Sequence, residues 1–334
     1  MNVLVMGGSR FNGLALVEKL VAGGHDVTVF NRGMSNTVLP REVKRIQGDR
    51  KDHDDMRKKL GGRDFDVIHD ISAFVLDDVK SLVDIFRGRI GHYIFASSCA
   101  VYAPRHVILP IPEDSQLNLS EEKNNDYGRN KIFCERYLIA QYRECGFPAS
   151  ITRFPMVYGP RNSSPMREAL MFRRLLEKRP ILIPGDGTTL SHLSYVFDQA
   201  TAAIRMMLNP RTFGQAYNMA GREYYSDNSY VDVLADIVGV SPEKVYMPPE
   251  LTDEVYQTIP YQIMQRHGVG LVDWRESSVF STRKLEEHVG YVQEHSFKAG
   301  MEETFEWYKR ERLDERVSPD FRYEDEILAK KFTS

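Results

Sequence analysis

Tyr127 and Lys131 close the segment Tyr127-Gly-Arg-Asn-Lys131, a spacing that puts both side chains on one face of an α-helix. An ammonium held beside a phenol stabilises the phenolate and brings a group that ordinarily titrates near ~10 toward neutral pH. Such a pair can exchange a proton with a substrate hydroxyl or carbonyl. Ser98 follows the apolar run His92-Tyr-Ile-Phe-Ala-Ser97 and is placed to hydrogen-bond the same oxygen. A second constellation opens the chain, where Gly7-Gly-Ser-Arg-Phe-Asn-Gly13 joins the apolar run Asn2-Val-Leu-Val-Met6 to a helical pattern of Leu14, Leu16, Val17, Leu20 and Val21. Glycines in such a turn let the backbone approach a pyrophosphate, and the free N–H groups and positive end of the helix hold its charge. Gly7, Gly8, Arg10, Phe11 and Gly13 are therefore candidate dinucleotide contacts.

The elements that must carry these residues follow from periodicity. After Gly23-Gly24-His25 comes a second buried strand, Asp26-Val-Thr-Val-Phe30, completing a βαβ unit. Residues 43–48 read as a short strand, 54–60 as a helix, 65–71 as a strand, 77–86 as a helix and 92–97 as a strand. This alternation predicts an α/β fold with a doubly wound, mainly parallel sheet and ligands at the carboxyl ends of its strands. Residues 104–125 read as a long polar loop, 127–144 as an amphipathic helix stopped by Gly146 and Pro148, and 149–154 as a sixth strand. A less regular pattern follows: a helix over 165–178, strands over 181–183 and 192–196, and a helix over 198–208. The expected division is a Rossmann domain of residues 1–155 plus about 193–210, a smaller α/β substrate-binding domain of about 156–192 and 211–320, and a tail of 321–334.

Composition restricts the function classes. With 334 residues, 42% hydrophobic and 27% charged, the chain can bury one large core or two smaller ones. A net charge of −3 gives no global drive toward nucleic acid or anionic membrane. Cys99, Cys134 and Cys145 are an odd number without paired spacing, which argues against a disulfide framework or a metal site and for a reducing, cytoplasmic setting. No apolar run approaches the ~20 residues of a membrane span, and Met1 leads straight into the first strand.

Taken with Ser97-Ser98 through Tyr102, Gly48-Asp49, Arg153 to Val157-Tyr-Gly-Pro160 and Gly185-Asp-Gly187, these motifs resemble the extended short-chain dehydrogenase/reductase family, the NAD-dependent epimerase/dehydratase group. The resemblance implies that Ser98, Tyr127 and Lys131 are the catalytic trio, that Lys131 also binds the nicotinamide ribose, and that Asp49 contacts adenine. It further implies NAD(P) as cofactor, a sugar or sugar nucleotide as substrate, and a homodimer built on the helices near 77–86 and 127–144.

Departures from the family pattern shape the rest of the reading. Arg10 stands where the family has its middle glycine, and Asn31-Arg32 where members preferring NAD have an acidic residue. Two guanidiniums, Arg10 and Arg32, can flank a 2′-phosphate, which favours NADP. Cys99-Ala100 replaces the Asp-Glu pair of the 4,6-dehydratases, which speaks against that reaction. Met156 and Ser191 replace an asparagine and an arginine that commonly bind sugar diphosphates. Cys99, Met156, Arg161 and His192 remain candidate substrate contacts, with a structural role for His192 the alternative. The glycine-loop sequence and Phe30-Asn-Arg-Gly33 resemble an atypical branch that includes the chloroplast stem-loop RNA-binding proteins. The sequence thus carries three readings: an epimerase, a reductase of a non-nucleotide substrate, and a non-catalytic RNA-binding protein on the same fold.

Overall fold

Val3, Leu4, Val5 and Met6 are all completely buried, and they face opposite ways. Leu4 and Met6 pack into a cluster with Ile68, Phe95, Leu82, Phe86 and Leu138, whereas Val3 and Val5 join Val27, Val29, Leu16, Leu20, Ala203 and Met206. A strand covered on both faces has no reason to alternate in polarity, which is why its sequence is a continuous apolar run.

The computed structural model describes residues 1–104, 108–121, 125–162, 166–258, 274–317 and 319–332. In chain order its elements begin β1 (Asn2–Met6), α1 (Phe11–Ala22), β2 (Asp26–Asn31), β3 (Lys44–Gln47), α2 (His53–Leu60), β4 (Phe65–Asp70), α3 (Leu76–Phe86), β5 (Ile90–Ser98), α4 (Asp126–Cys145) and β6 (Ala149–Phe154). They continue with β7 (Met156–Tyr158), α5 (Arg167–Leu176), β8 (Ile181–Pro184), β9 (Leu190–Tyr195), α6 (Val196–Met206), β10 (Ala216–Asn218), β11 (Tyr224–Ser226), α7 (Asp227–Val238), β12 (Lys244–Met247) and α8 (Pro249–Thr258). Four helices close the chain, Arg283–Val289, Phe297–Arg310, Leu313–Arg316 and Arg322–Phe332. Of the predicted 104–125 loop, residues 105–107 and 122–124 lie outside the described residues. The predicted 165–178 helix likewise begins on a residue outside them, and the described helix starts at Arg167.

The chain divides into two units. The first comprises Met1–Val157, His192–Arg222 and Val279–Glu294. Seven strands form its main sheet, in the order β10-β6-β5-β4-β1-β2-β3, with every adjacent pair parallel. Strand order reverses between β1 and β4, the place where a doubly wound sheet opens a crevice at its carboxyl edge. The returning segment extends beyond the 193–210 expected from periodicity: β10 supplies the edge strand, pairing Ala216 with Ile151 and Asn218 with Arg153. Three residues are too few to show a period, so only the pairing with β6 reveals this strand.

The second unit comprises Tyr158–Ser191, Glu223–Ser278 and His295–Ser334. β8 and β12 pair in parallel, with Ile181 opposite Lys244. Phe172 packs against Phe305 and Tyr308 with ring centroids 4.9 and 5.7 Å apart, and the buried Arg174 guanidinium grips both Glu324 oxygens at 3.0 and 2.5 Å. Among the described residues no helix is long and apolar enough to cross a membrane.

Behind the carboxyl edge of the first unit lies a buried ion pair between Arg153 on β6 and Glu135 on α4, with Nη2 to Oε2 at 2.7 Å and Nε to Oε1 at 3.1 Å. Ser97 donates to the same carboxylate at 2.5 Å, and Arg153 Nη1 donates to the Tyr102 hydroxyl at 2.9 Å. Tyr102 passes the chain on to Asn218 Oδ1 at 2.5 Å, so β5, β6, β10 and α4 are tied through one polar network. Arg153→Met leaves Glu135 charged, buried and unpaired. Urea denaturation should then show a loss of about 3–5 kcal/mol, much of it restored by adding Glu135→Leu. A loss under about 1 kcal/mol would show that the pair is not the tie described.

Candidate active site

The first two turns of α4 carry the candidate pair, Tyr127 and Lys131. Gly128 sits there because a Cβ at that position would meet the Ala100 carbonyl oxygen at 2.4 Å. Without that side chain the helix start packs directly on the short 3₁₀ turn after Ser98, which brings Tyr127 and the end of β5 to one place. Ser98 is half-buried, and its hydroxyl accepts the Ala100 N–H at 3.1 Å and lies 3.4 Å from the Phe154 carbonyl.

Tyr127 and Lys131 differ sharply in environment. The tyrosine is 45% exposed, and the lysine only 3%. Lys131 Nζ donates to the carbonyls of Ala73 and Ala96, both at 2.7 Å, and lies 5.7 Å from the Tyr127 ring centroid, 5.2 Å from Phe74 and 4.8 Å from Phe95. Burial pushes its pKa down to about 8, while the Asp70 carboxylate pulls it back up. At neutral pH the ammonium therefore persists beneath an exposed phenol, the arrangement that proton exchange with a ligand requires. Two of the three Nζ donors are engaged by carbonyls, which leaves a third for a ligand oxygen.

At the other end of the crevice, the glycine turn has the shape of an anion cradle. Gly7 and Gly8 have φ of +110° and +76°, and a Cβ on Gly13 would stand 2.8 Å from the Gly8 nitrogen, so helix and turn close on one another only without it. α1 begins with no side-chain cap and no acidic residue in its first turn, so the positive end of its dipole is uncompensated. These features fit a dinucleotide pyrophosphate. Arg10 is exposed and extended, with φ −142° and ψ 147°, a conformation that needs no glycine. Phe11 opens the helix at φ +30°, a left-handed value for a residue with a side chain.

Asn31 is bound to backbone: its amide donates to the Gly7 carbonyl at 3.3 Å and its oxygen accepts the Gly33 N–H at 3.0 Å. The end of β2 is thereby fastened to the turn. Arg32 is exposed, and Asp49 is half-buried with Oδ1 accepting the Lys51 N–H at 3.0 Å.

The remaining sequence-predicted residues have these surroundings. Cys99 is buried, with Sγ 3.5 Å from the Arg153 carbonyl, and burial pushes its thiol pKa well up. His192 is buried and held as a neutral tautomer: Nδ1 accepts the Phe280 N–H at 3.0 Å and Nε2 faces the Gly221 carbonyl. Burial lowers its pKa to about 4. Met156 is half-buried on β7, and Arg161, in the second unit, has φ +68°. A cavity of about 1100 Å³ in that unit is lined by Gly185, Asp186, Tyr246, Trp274 and Arg275, among others.

Sequence reasoning missed Arg50, Asp70 and Phe74. Asp70 is completely buried at the end of β4, where Arg50 holds it at 2.7 Å, and the Phe74 ring faces Tyr127 with centroids 6.2 Å apart. The available signal was the pair His69-Asp70 directly after the apolar Val67-Ile68 in a strand, since buried charge needs a partner.

Known proteins place this geometry in context. The family model described as "NAD dependent epimerase/dehydratase family" matches residues 3–220. A chloroplast stem-loop binding protein of 41 kDa b from Arabidopsis thaliana is 29% identical over 345 residues, covering 98% of this chain and 84% of that protein. A putative UDP-glucose 4-epimerase from Methanocaldococcus jannaschii is 24% identical over 331 residues, covering 92% and 98%. Among solved structures, UDP-glucose 4-epimerase from Thermotoga maritima superposes with a TM-score of 0.76 at 24% identity, covering 93% of this chain and all of that one. The last likeness establishes the fold. From the family match, which spans the parallel sheet, the glycine turn and the Tyr127–Lys131 helix, the chain belongs to the NAD dependent epimerase/dehydratase family.

Proposed function

We propose that the chain binds an NAD(P) dinucleotide at the glycine turn and catalyses reversible oxidation of a secondary alcohol on a sugar or sugar nucleotide, with epimerisation as the net result. The observation that carries this reading is the exposed Tyr127 above a buried, carbonyl-held Lys131 ammonium. Bound nicotinamide would supply the hydride acceptor and donor. Tyr127 takes the hydroxyl proton as the carbon is oxidised and returns it on reduction, Lys131 stabilises the phenolate, and Ser98 orients the reacting oxygen. Return of hydride to the opposite face of the ketone gives the epimer. Release of the ketone makes the enzyme a dehydrogenase or reductase, including one for a non-nucleotide substrate. UDP-glucose, named in two of the relatives, is the first substrate to assay.

The exposed Arg10 and Arg32 favour a 2′-phosphate and hence NADP. Calorimetric titration should show NADP binding more tightly than NAD, and Arg10→Ala or Arg32→Ala should weaken NADP about tenfold while leaving NAD unchanged. NADP affinity insensitive to both substitutions would refute the clamp. A second reading, a stem-loop-binding protein on this fold, is favoured by the relative from Arabidopsis thaliana. Absence of binding heat from either dinucleotide would promote it.

A further inference from the structure

The Asp70 carboxylate accepts five hydrogen bonds at full burial. Arg50 holds it with Nη1 to Oδ1 at 2.7 Å and Nη2 to Oδ2 at 3.1 Å, and the Tyr93 hydroxyl donates to Oδ2 at 2.7 Å. The other two donors are backbone N–H groups, Ser72 at 3.2 Å and Ala73 at 3.1 Å, both to Oδ1. Arg50 Nε also lies 3.3 Å from Asp78 Oδ1, while Asp78 Oδ2 accepts the N–H groups of Phe74 at 2.8 Å and Val75 at 3.2 Å. Two carboxylates bridged by one guanidinium therefore fix the N–H groups of residues 72 to 75. The opposite side of this turn presents the Ala73 carbonyl to Lys131.

We propose that Asp70, clamped by Arg50, is a positioning residue for Lys131, fixing the 72–75 turn so that the Ala73 carbonyl holds the ammonium beneath Tyr127. The inference rests on the reading of Lys131 as the partner of Tyr127. A buried ion pair is a weak source of stability compared with apolar packing. Here its geometry is directed at one lysine. Of the titratable groups facing Lys131, Asp70 and Glu135 favour the ammonium and Arg50 opposes it, with Asp70 the strongest, while the Cys134 thiol, pushed up to about 12 by burial, stays neutral. Carbonyl contact and carboxylate field thus act in the same sense.

The Lys131 Nζ resonance, identified in ¹⁵N-lysine-labelled full-length protein by its loss in Lys131→Met, reports this directly. Its titration midpoint should lie near 8 in the parent protein. In Asp70→Asn, proton affinity should fall about tenfold or more, because the nearby charge and the fixed carbonyl are both lost. An unmoved midpoint, or one raised by water entering a loosened site, would overturn the proposal. Should Asp70→Asn fail to fold, the charge-balanced double variant Arg50→Met with Asp70→Leu carries the same test, with a downward displacement again expected. In turnover, Asp70→Asn should lose about tenfold in the parent but less than about twofold in Lys131→Met, and equal losses in both backgrounds would count against it. Failure of dinucleotide binding would sink the proposed reaction instead, and the Lys131 titration would still decide this inference.

Discussion

Tyr127→Phe should lower turnover by roughly 10²–10⁴-fold and leave dinucleotide affinity within about twofold of the parent protein. The substitution removes one oxygen and keeps the ring, so the contacts of that ring with Phe74 and with the Lys131 ammonium survive. Proton exchange with the ligand is lost, equivalent to about 2.7–5.5 kcal/mol of transition-state stabilisation. Because Tyr127 is 45% exposed and stands in the first turn of α4, the fold should be unaffected. Steady-state assay with UDP-glucose and calorimetry with the dinucleotide separate the two quantities. Near-normal turnover in this variant would remove the start of α4 from the chemistry.

A large loss of stability is also expected on mild acidification. His69, His92 and His192 are buried in the sheet-bearing unit, and burial lowers their pKa values to about 3, 3 and 4. His92 is paired on both nitrogens, with Ser150 Oγ at 2.7 Å and the Leu208 N–H at 3.1 Å, whereas among the described residues neither nitrogen of His69 has a hydrogen-bond partner. In the unfolded chain these rings take up protons below about 6.5, while the folded state excludes them until about 3–4. The unfolded state therefore binds more protons across this window, and stability falls as pH drops through it. Each histidine contributes a slope approaching ~1.4 kcal/mol per pH unit, so the three together approach ~4. Above pH ~7 their contribution is complete and constant. Urea titrations at pH 7.5, 6 and 5 measure the slope, and a flat profile across that range would show that these rings are not held neutral. His69→Phe or His192→Gln should each flatten it by about one third.

Much of the fold was legible because its signals are local. The run Val3 to Met6, the glycine turn and the helical spacing from Leu14 to Val21 announce strand, turn and helix within a few residues of each other. The same is true of Tyr127 and Lys131, whose separation alone fixes a common helix face. β10 was not legible, since three residues carry no period and Ala216 becomes part of the sheet only by pairing with Ile151. The role of Gly128 was hidden for a related reason: its Cβ is excluded by the Ala100 carbonyl, which belongs to a turn far back in the chain.

What the sequence by itself determined is the inventory: a parallel α/β sheet, a glycine turn before a helix, a serine at a strand end, and a tyrosine and lysine on one face of a helix. What only the tertiary structure decided is the state of those groups. Lys131 is an ammonium beneath an exposed phenol because two carbonyls from different strand ends meet it at 2.7 Å and a buried Asp70 opposes its desolvation. His192 is a closed structural tautomer because Phe280 and Gly221 occupy both of its nitrogens. Periodicity records which face a residue takes, but charge state and hydrogen-bond partners depend on atoms brought together from distant parts of the chain, and these are fixed only when the sheet closes.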